Sequence, residues 1–300
     1  YTNMAEYGLS IRDLGLAQTY LEAGIAFDTE HDLDSWLYYL LGCQARFLMM
    51  RGALHEAAAL CDRVLAVPSL TLVMTMPAAT VLAQVDVRLG RDDGSARLQA
   101  LLPQVVATGE AQRIVPVLIA LAEAAWQAGD LAGCAHHARR VLDEFGASQP
   151  WDVAEACVWL FRAGQTPPVP LAHLPEPVAL ECGGQADAAA AAYARMGLPF
   201  EQALALCGTG EMAGLHAAET MFLALSCPTA AARARSLNRD RAVVDGAMSA
   251  RRRGPYRSAR HHPLGLTARE QQILAMIAEG DTNEEIAARL GRSPRTIQHP

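Results

Sequence analysis

The sequence of 300 residues contains no lysine, so all 25 of its basic side chains other than histidine are arginine. A phosphate-binding loop of the form G-x-x-x-x-G-K-[ST] requires a lysine, and ATP binding is therefore not predicted for these residues. The serine hydrolase pattern G-x-S-x-G and the zinc protease pattern H-E-x-x-H are also absent. We expect no catalytic, cofactor-binding or metal-binding residues in this chain, no cofactor, and no enzymatic activity.

Cysteine never occurs as C-x-x-C, and the seven cysteines are odd in number and scattered. This usage is typical of buried thiols in a reducing cytosol, so we expect a cytoplasmic protein. Long hydrophobic runs are also missing, because the longest uncharged stretch, Val64 to Val85, is interrupted by Pro68 and Pro77. We expect no membrane span there and no membrane partner.

Aromatic residues are sparse at 6%, whereas alanine and leucine dominate an apolar half of the sequence. That composition favours an all-α fold. Charge is unevenly distributed along the chain. Residues 251–300 carry nine Arg and five acids, a net charge of +4, so residues 1–250 carry −11 and the whole chain −7. A basic end on an acidic body predicts one module that meets phosphate and another that does not.

Glycines mark a repeated helix, turn, helix pattern in the first half of the chain. Gly52, Gly90 and Gly129 are 38 and 39 residues apart, and Gly164 follows after 35. The pattern resembles tetratricopeptide-like repeats, which bury their apolar faces only by stacking. We therefore expect a curved helical solenoid with an extended concave face. Its larger aromatic residues should fill gaps between helices: Trp36, Tyr38, Tyr39, Phe47, Trp126, Trp151 and Trp159.

The chain divides, on composition and pattern, into five predicted segments. These are tetratricopeptide-like helical repeats over 1–164, a Pro-rich break over 165–180, further helical repeats over 181–245, an Arg-rich linker over 246–263, and an incomplete helix-turn-helix over 264–300. The linker arginines either keep the segment solvated or follow DNA phosphate.

Three helix starts occur in the last segment. Thr267 with Glu270, and Thr282 with Glu285, have the spacing of a capping box, and Ser293 before Pro294 suits a third start. Glycines at 280 and 291 are suited to end the first two helices. The apolar faces of these helices are predicted to be Ile273, Leu274 and Ile277 on the first, and Ile286, Ala287 and Leu290 on the second. Such a pair of helices is a helix-turn-helix.

The letters of this segment, L-T-x-R-E, then E-G-x-x-N-x-E-I-A-x-x-L, then S-P-x-T-I, resemble the DNA-binding domain of LuxR-type bacterial transcription regulators. The order of the preceding helices, with a G-L-P-F-E-Q-A-L-A-L turn, resembles the large ATP-binding, MalT-like group of that family. In that group a nucleotide-binding domain stands ahead of the repeats. The family has His where Pro300 stands, and its third helix runs further. We therefore expect a C-terminal piece of a longer protein with a truncated helix-turn-helix.

The resemblance assigns DNA-binding roles to five residues. Ser293, Arg295 and Thr296 would meet phosphate at the start of the third helix, where the helix dipole is positive. Gln298 and His299 would face base edges in the major groove. By the same resemblance, the intact protein is expected to bind promoter DNA as an oligomer and to have RNA polymerase as a partner.

The helical repeats are expected to bind a small inducer or a partner protein. The alternative hypothesis is a repeat-protein adaptor that binds such a partner without binding DNA.

Overall fold

The computed structural model describes residues 1–146, 149–239 and 268–290, with side chains of the last range described from Gln271 on. It divides into two compact units, Tyr1–Arg241 and Ala242–Pro300. Across the described ranges all regular structure is helical and no strand occurs, which confirms the all-α prediction. Among these helices, none combines the length and apolar character that crossing a membrane requires.

The helices are numbered in chain order. In the first unit they are α1 Thr2–Ser10, α2 Leu14–Glu30, α3 Asp34–Met50, α4 Leu54–Leu65, α5 Leu72–Arg88, α6 Gly94–Val106, α7 Ala111–Ala128, α8 Leu131–Phe145, α9 Pro150–Arg162, α10 Glu176–Cys182, α11 Ala186–Arg195, α12 Pro199–Leu206, α13 Met212–Ala224 and α14 over 228–239. Short 3-10 turns cover Leu171–His173 and Cys207–Thr209. The second unit contains α15 Ala268–Ala278 and α16 Asn283–Arg289.

Glycine turns end four of the odd-numbered helices, at the positions that the sequence singled out. Gly52 follows α3, Gly90 follows α5, Gly129 follows α7 and Gly164 follows α9, with φ angles of +83°, +70°, +82° and +78°. Residues with a Cβ rarely adopt these angles, which explains why glycine recurs there. The helix, glycine turn, helix pattern is therefore present.

Aspartates begin two of the helices that follow a turn. Asp13 accepts a hydrogen bond from the Leu16 N–H at 2.9 Å at the start of α2, and Asp130 accepts one from the Gly133 N–H at 2.8 Å at the start of α8. Each carboxylate satisfies an N–H that has no partner inside the helix. These caps fix where the second helix of each pair begins.

The odd-numbered helices pack on one another as well as on their sequence neighbours. Contacts run from α1 to α3, from α3 to α5, from α5 to α7 and from α7 to α9. A later helix also meets this row, because the Arg88 guanidinium of α5 lies over the ring of Phe200 on α12, 3.8 Å from its centroid. Helix α12 therefore contacts this row of helices, and the predicted solenoid with an extended concave face stays a prediction.

The buried core is built mainly from small and aliphatic side chains, with few aromatic ones. Trp126 and Trp159 are buried and meet with ring centroids 6.1 Å apart, as expected for residues that fill gaps between helices. Trp36 is 58% exposed, so the same prediction was wrong for it. Trp36 lies in the first turn of α3, and the first buried residue of this helix is Leu40, one turn further on.

Candidate nucleic-acid interface

Two short helices form the described part of the C-terminal unit. Helix α15 begins at Ala268, directly after Thr267, while Thr267 itself and the side chain of Glu270 lie outside the described residues. Gly280 has a φ of +93° between the helices, which confirms its predicted role in the turn. Helix α16 then begins at Asn283.

A complete capping box fixes the start of α16, as the spacing of Thr282 and Glu285 predicted. The Thr282 N–H donates to Glu285 Oε2 at 2.8 Å, and the Glu285 N–H donates to Thr282 Oγ1 at 3.4 Å. Hydrogen bonds from the Thr282 N–H and then from its hydroxyl, 2.7 Å away, lower the pKa of the Glu285 carboxyl. The box orients the second helix relative to the turn.

The helices pack through a small core. Met276, Ile286 and Ala287 are buried, and Ile273 and Leu290 pack against them. The prediction for α16 is confirmed, but the predicted face of α15 was partly wrong. Leu274 and Ile277 are 52% and 50% exposed, because Met276, which the sequence reading passed over, occupies the inward position between them.

Arg289 is a residue that the sequence reading missed. It lies in the last turn of α16 and forms an ion pair with Asp281 in the turn between the helices. Its Nη1 is also 3.7 Å from the Glu279 carboxylate. The sequence signal for this ion pair is that Asp281 and Arg289 carry opposite charges and lie eight residues apart, at the two ends of the second predicted helix. Arg289 therefore ties the end of α16 to the turn.

The helices described here are not the basic part of the motif. Residues 268–290 contain two arginines and five acids, a charge of −3. The other seven of the nine arginines in 251–300 lie in 251–260 and at 292 and 295. Phosphate attracts these seven arginines and repels the net negative charge of residues 268–290. The positive charge of residues 251–300 is therefore concentrated, along the sequence, before α15 and after α16.

All five predicted DNA-binding residues lie after Leu290. Ser293, Arg295, Thr296, Gln298 and His299 are outside the described residues, as is the predicted helix end at Gly291. Their roles stay predictions.

The segment that contains this capped pair of helices resembles a known domain. Residues 264–299 match the luxR family of bacterial regulatory proteins. No curated protein and no solved structure matches the chain. The match covers the C-terminal segment only, and it supports a DNA-binding transcription regulator of LuxR type with a helix-turn-helix at its C-terminal end.

The first unit contains charged residues in its interior that the sequence reading did not single out. Arg88, Glu123 and Glu181 are all buried. The sequence signal for a buried charge is a single charged residue within an otherwise apolar helix, as in A-L-A-E-A-A-W around Glu123. In the described part of the chain no group of His, Cys, Asp and Glu is arranged to hold a metal ion.

Proposed function

We propose that the intact protein is a transcription regulator that binds promoter DNA through the segment 264–300 and senses a signal through the helical unit Tyr1–Arg241. The observation that carries the proposal is the luxR-family match over residues 264–299, together with the capped helix pair inside it. Regulation takes place where the bacterial chromosome lies, so we place the protein in the cytoplasm. It acts by binding, and not as an enzyme.

The DNA contacts that we propose follow the family resemblance residue by residue. Ser293, Arg295 and Thr296 hold phosphate, and Gln298 and His299 read base edges. The acidic character of residues 268–290 supports this division, since the described helices offer little positive charge of their own. Two copies binding two half-sites would account for oligomerisation of the intact protein on DNA.

We further propose that α1 to α9 form tetratricopeptide-like repeats, within the MalT-like group of regulators. The glycine turns after α3, α5 and α7 and the contacts between successive odd-numbered helices support this. A crystal structure in which the pairs α3–α4, α5–α6 and α7–α8 superpose closely on one another would bear this out. Pairs with unrelated crossing angles would contradict it.

The experiment for DNA binding is selection of bound sequences from a random duplex library with the intact protein, followed by titration at several salt concentrations. We expect a selected sequence with half-site symmetry, and an affinity that falls linearly with salt on logarithmic axes. Retention of no sequence above the starting library would refute the proposal, and it would favour the adaptor without DNA binding.

A further inference from the structure

Two cavities lie side by side within the first unit. Each has a volume of about 70 Å³, and they share Arg46, Met49, Gln84 and Pro116 in their walls. A water needs about 10–15 Å³ measured in this way, so each cavity has room for about five waters. Together they can accept a small organic molecule that passes the shared wall.

The first cavity is mainly apolar. Its walls include Leu9 of α1, Met76 and Val81 of α5 and the ring of Tyr39 of α3. The Tyr39 hydroxyl donates to the Glu6 carboxylate at 2.6 Å, so that polar group is already satisfied. This wall is suited to an alkyl chain or an aromatic ring, which gains free energy by leaving water.

The second cavity is charged. Four arginines and three glutamates line it, a net charge of +1, and they are Arg12, Arg46, Arg88, Arg162, Glu123, Glu155 and Glu201. Three of these arginines have carboxylate partners: Arg12 pairs with Glu155, Arg88 with Glu123, and Arg162 with Glu181. The fourth, Arg46, has no ion pair or hydrogen bond to any residue that the structure describes.

Arg46 is therefore the one of these four arginines without a direct ion pair among the described residues, although the Glu6 carboxylate lines the first cavity with it. It lines both cavities, and also a third, wider opening bordered by Asn3, Tyr7 and Asp152. Burial and then the charge of Arg46 lower the pKa of the Arg12 guanidinium to about 10. The charges of Arg46 and Arg12 therefore repel each other, and a bound anion would reduce that repulsion.

Arg88 supplies a second donor. Its side chain is only 4% exposed, and Nε and Nη2 both donate to Glu123. Its Nη1 is buried and has no hydrogen-bond partner within the described part of the chain. A buried N–H without a partner is costly, so a ligand oxygen at Nη1 is favourable. Glu201 Oε1 is 3.7 Å from Nη2, and the other oxygen of this carboxylate is buried without a hydrogen-bond partner among the described residues.

We propose that this pair of cavities binds a small carboxylic acid with an apolar tail, the carboxylate meeting Arg46 and Nη1 of Arg88 and the tail entering the cavity lined by Leu9, Met76 and Val81. The inference rests on the sensing role proposed above for the same unit and names the chemical class of the signal. Arginine suits this role because its planar fork matches a carboxylate and its charge is permanent.

The test uses the full chain and four probe molecules. Hexanoate carries both features, 1-hexanol and hexylamine replace the carboxylate, and acetate lacks the tail. We expect hexanoate alone to bind saturably in calorimetry and to raise the melting temperature, since a ligand that binds only the folded state stabilises it. If hexanol bound as tightly as hexanoate, the proposed need for a carboxylate would be refuted. If acetate bound as tightly, the proposed need for an apolar tail would be refuted. No hexanoate binding at about 10 mM, tenfold above a millimolar Kd, would overturn the whole inference.

Variants assign the site. Arg46→Gln should weaken hexanoate binding by about tenfold or more, as expected for loss of a charge-assisted hydrogen bond. Arg46→Lys, which keeps the charge, should restore part of that loss. Arg63→Gln removes the same charge from an exposed position on α4 outside all three cavities, and it should leave binding unchanged. Equal effects of Arg46→Gln and Arg63→Gln would place the ligand elsewhere.

Failure of this inference is distinguishable from failure of the proposed function. If the intact protein binds a selected DNA sequence but the chain binds no hexanoate, the ligand site is refuted and the regulator stands. If hexanoate binds with the dependence on Arg46 described above but no DNA sequence is selected, the ligand site stands and the regulator is refuted.

Discussion

Arg88 of α5 and Glu123 of α7 form a two-pronged ion pair in the interior of the first unit, with Nε to Oε1 at 2.8 Å and Nη2 to Oε2 at 2.9 Å. Burial lowers the pKa of Arg88, but the attraction of Glu123 more than offsets it, and the net pKa is raised. Gln84 and Gln127 donate to the same carboxylate at 2.8 and 3.1 Å. The pair therefore joins two stacked helices, and both oxygens of the Glu123 carboxylate accept hydrogen bonds.

Removing one charge of this pair should be strongly destabilising. We expect Glu123→Gln to lower the free energy of unfolding by about 3–5 kcal/mol, because it leaves the buried Arg88 charge with only the more distant Glu201 carboxylate, 3.7 Å away. Denaturant unfolding measures the change. The control is Glu144→Gln, which breaks an exposed Arg140 pair of the same 2.8 Å length on α8 and should cost less than about 1 kcal/mol.

The double variant Arg88→Met with Glu123→Leu gives a second check on the same pair. It removes both charges, so it should recover much of the stability that Glu123→Gln loses, although Gln84 and Gln127 lose their acceptor. If the double variant were less stable than Glu123→Gln alone, the pair would contribute net stability, contrary to this prediction.

Two glycines of the first two helices, Gly8 and Gly15, should respond in opposite directions to substitution by alanine. Gly8 of α1 is buried, and a Cβ there would lie 2.6 Å from the backbone nitrogen of Ala17 on α2, which cannot move without shifting the helix. Gly15 of α2 is exposed, with only Asp13 Oδ1 at 3.5 Å. We expect Gly8→Ala to destabilise the chain by about 1–3 kcal/mol, as overpacking does.

Gly15→Ala should instead be neutral or stabilising, by up to about 1 kcal/mol, because alanine has the higher helix propensity. Thermal or denaturant unfolding of the two variants against the parent chain measures both. Similar losses in the two variants would show that α1 and α2 do not approach as closely as the structure has them.

The seven thiols should be unreactive in the folded chain. All are free, and five are fully buried. Burial raises the pKa of Cys61, Cys134 and Cys227 to about 12, and the same holds for the half-buried Cys182 and Cys207. At pH 8 their thiolate fraction is then far below that of an ordinary cysteine. We expect slow reaction with a disulfide reagent in buffer and rapid reaction of all seven in denaturant. Fast labelling of the native chain would contradict the packing.

How far the sequence predicts the structure depends on whether the signal is local. Gly52, Gly129 and Gly280 were predictable, because a left-handed turn needs glycine wherever it occurs. The Thr282 capping box was predictable for the same reason, since all its atoms lie within four residues. Local patterns thus identified the helical pairs and the motif.

The rest depends on contacts between residues far apart in the chain. Arg88 and Glu123 are 35 residues apart, and no local pattern pairs them. The contact of α12 with α5 likewise joins Arg88 and Phe200, which only the tertiary fold brings together. The exposure of Leu274 and Ile277 likewise depends on how α16 crosses α15, which helical periodicity alone leaves open.

Thr282→Ala should loosen the start of α16. The variant removes the hydroxyl that accepts from the Glu285 N–H and donates to the Glu285 carboxylate, and loss of such a cap costs about 1 kcal/mol. Hydrogen exchange of the α16 amides in the full chain measures it, with Thr282→Ser as the control that keeps the hydroxyl. Unchanged protection in Thr282→Ala would contradict the capping box.

The same cap predicts a pH dependence. The pKa of Glu285 is lower in the folded chain than in the unfolded one, so its contribution is present above the unfolded pKa and is lost as pH falls through the folded pKa. A carbon NMR titration of Glu285 should show a pKa below the usual value for glutamate. In Thr282→Ala the pKa should return toward that value. An ordinary pKa in the parent chain would show that the box is open in solution.

Arg295→Ala and Gln298→Ala should affect DNA binding by the intact protein in different ways. A phosphate contact carries no sequence information, so Arg295→Ala should weaken binding to every sequence and reduce the logarithmic salt slope by about 1. Gln298 is proposed to pair with a base edge, and Gln298→Ala should cost about 1–3 kcal/mol on the preferred sequence and relax the preference at one position. Gel-shift titrations over several sequences and salt concentrations separate the two, and Arg63→Ala on the exposed side of α4 is the matched loss of charge that should leave binding unchanged. Absence of an effect of either change would remove these residues from the DNA interface.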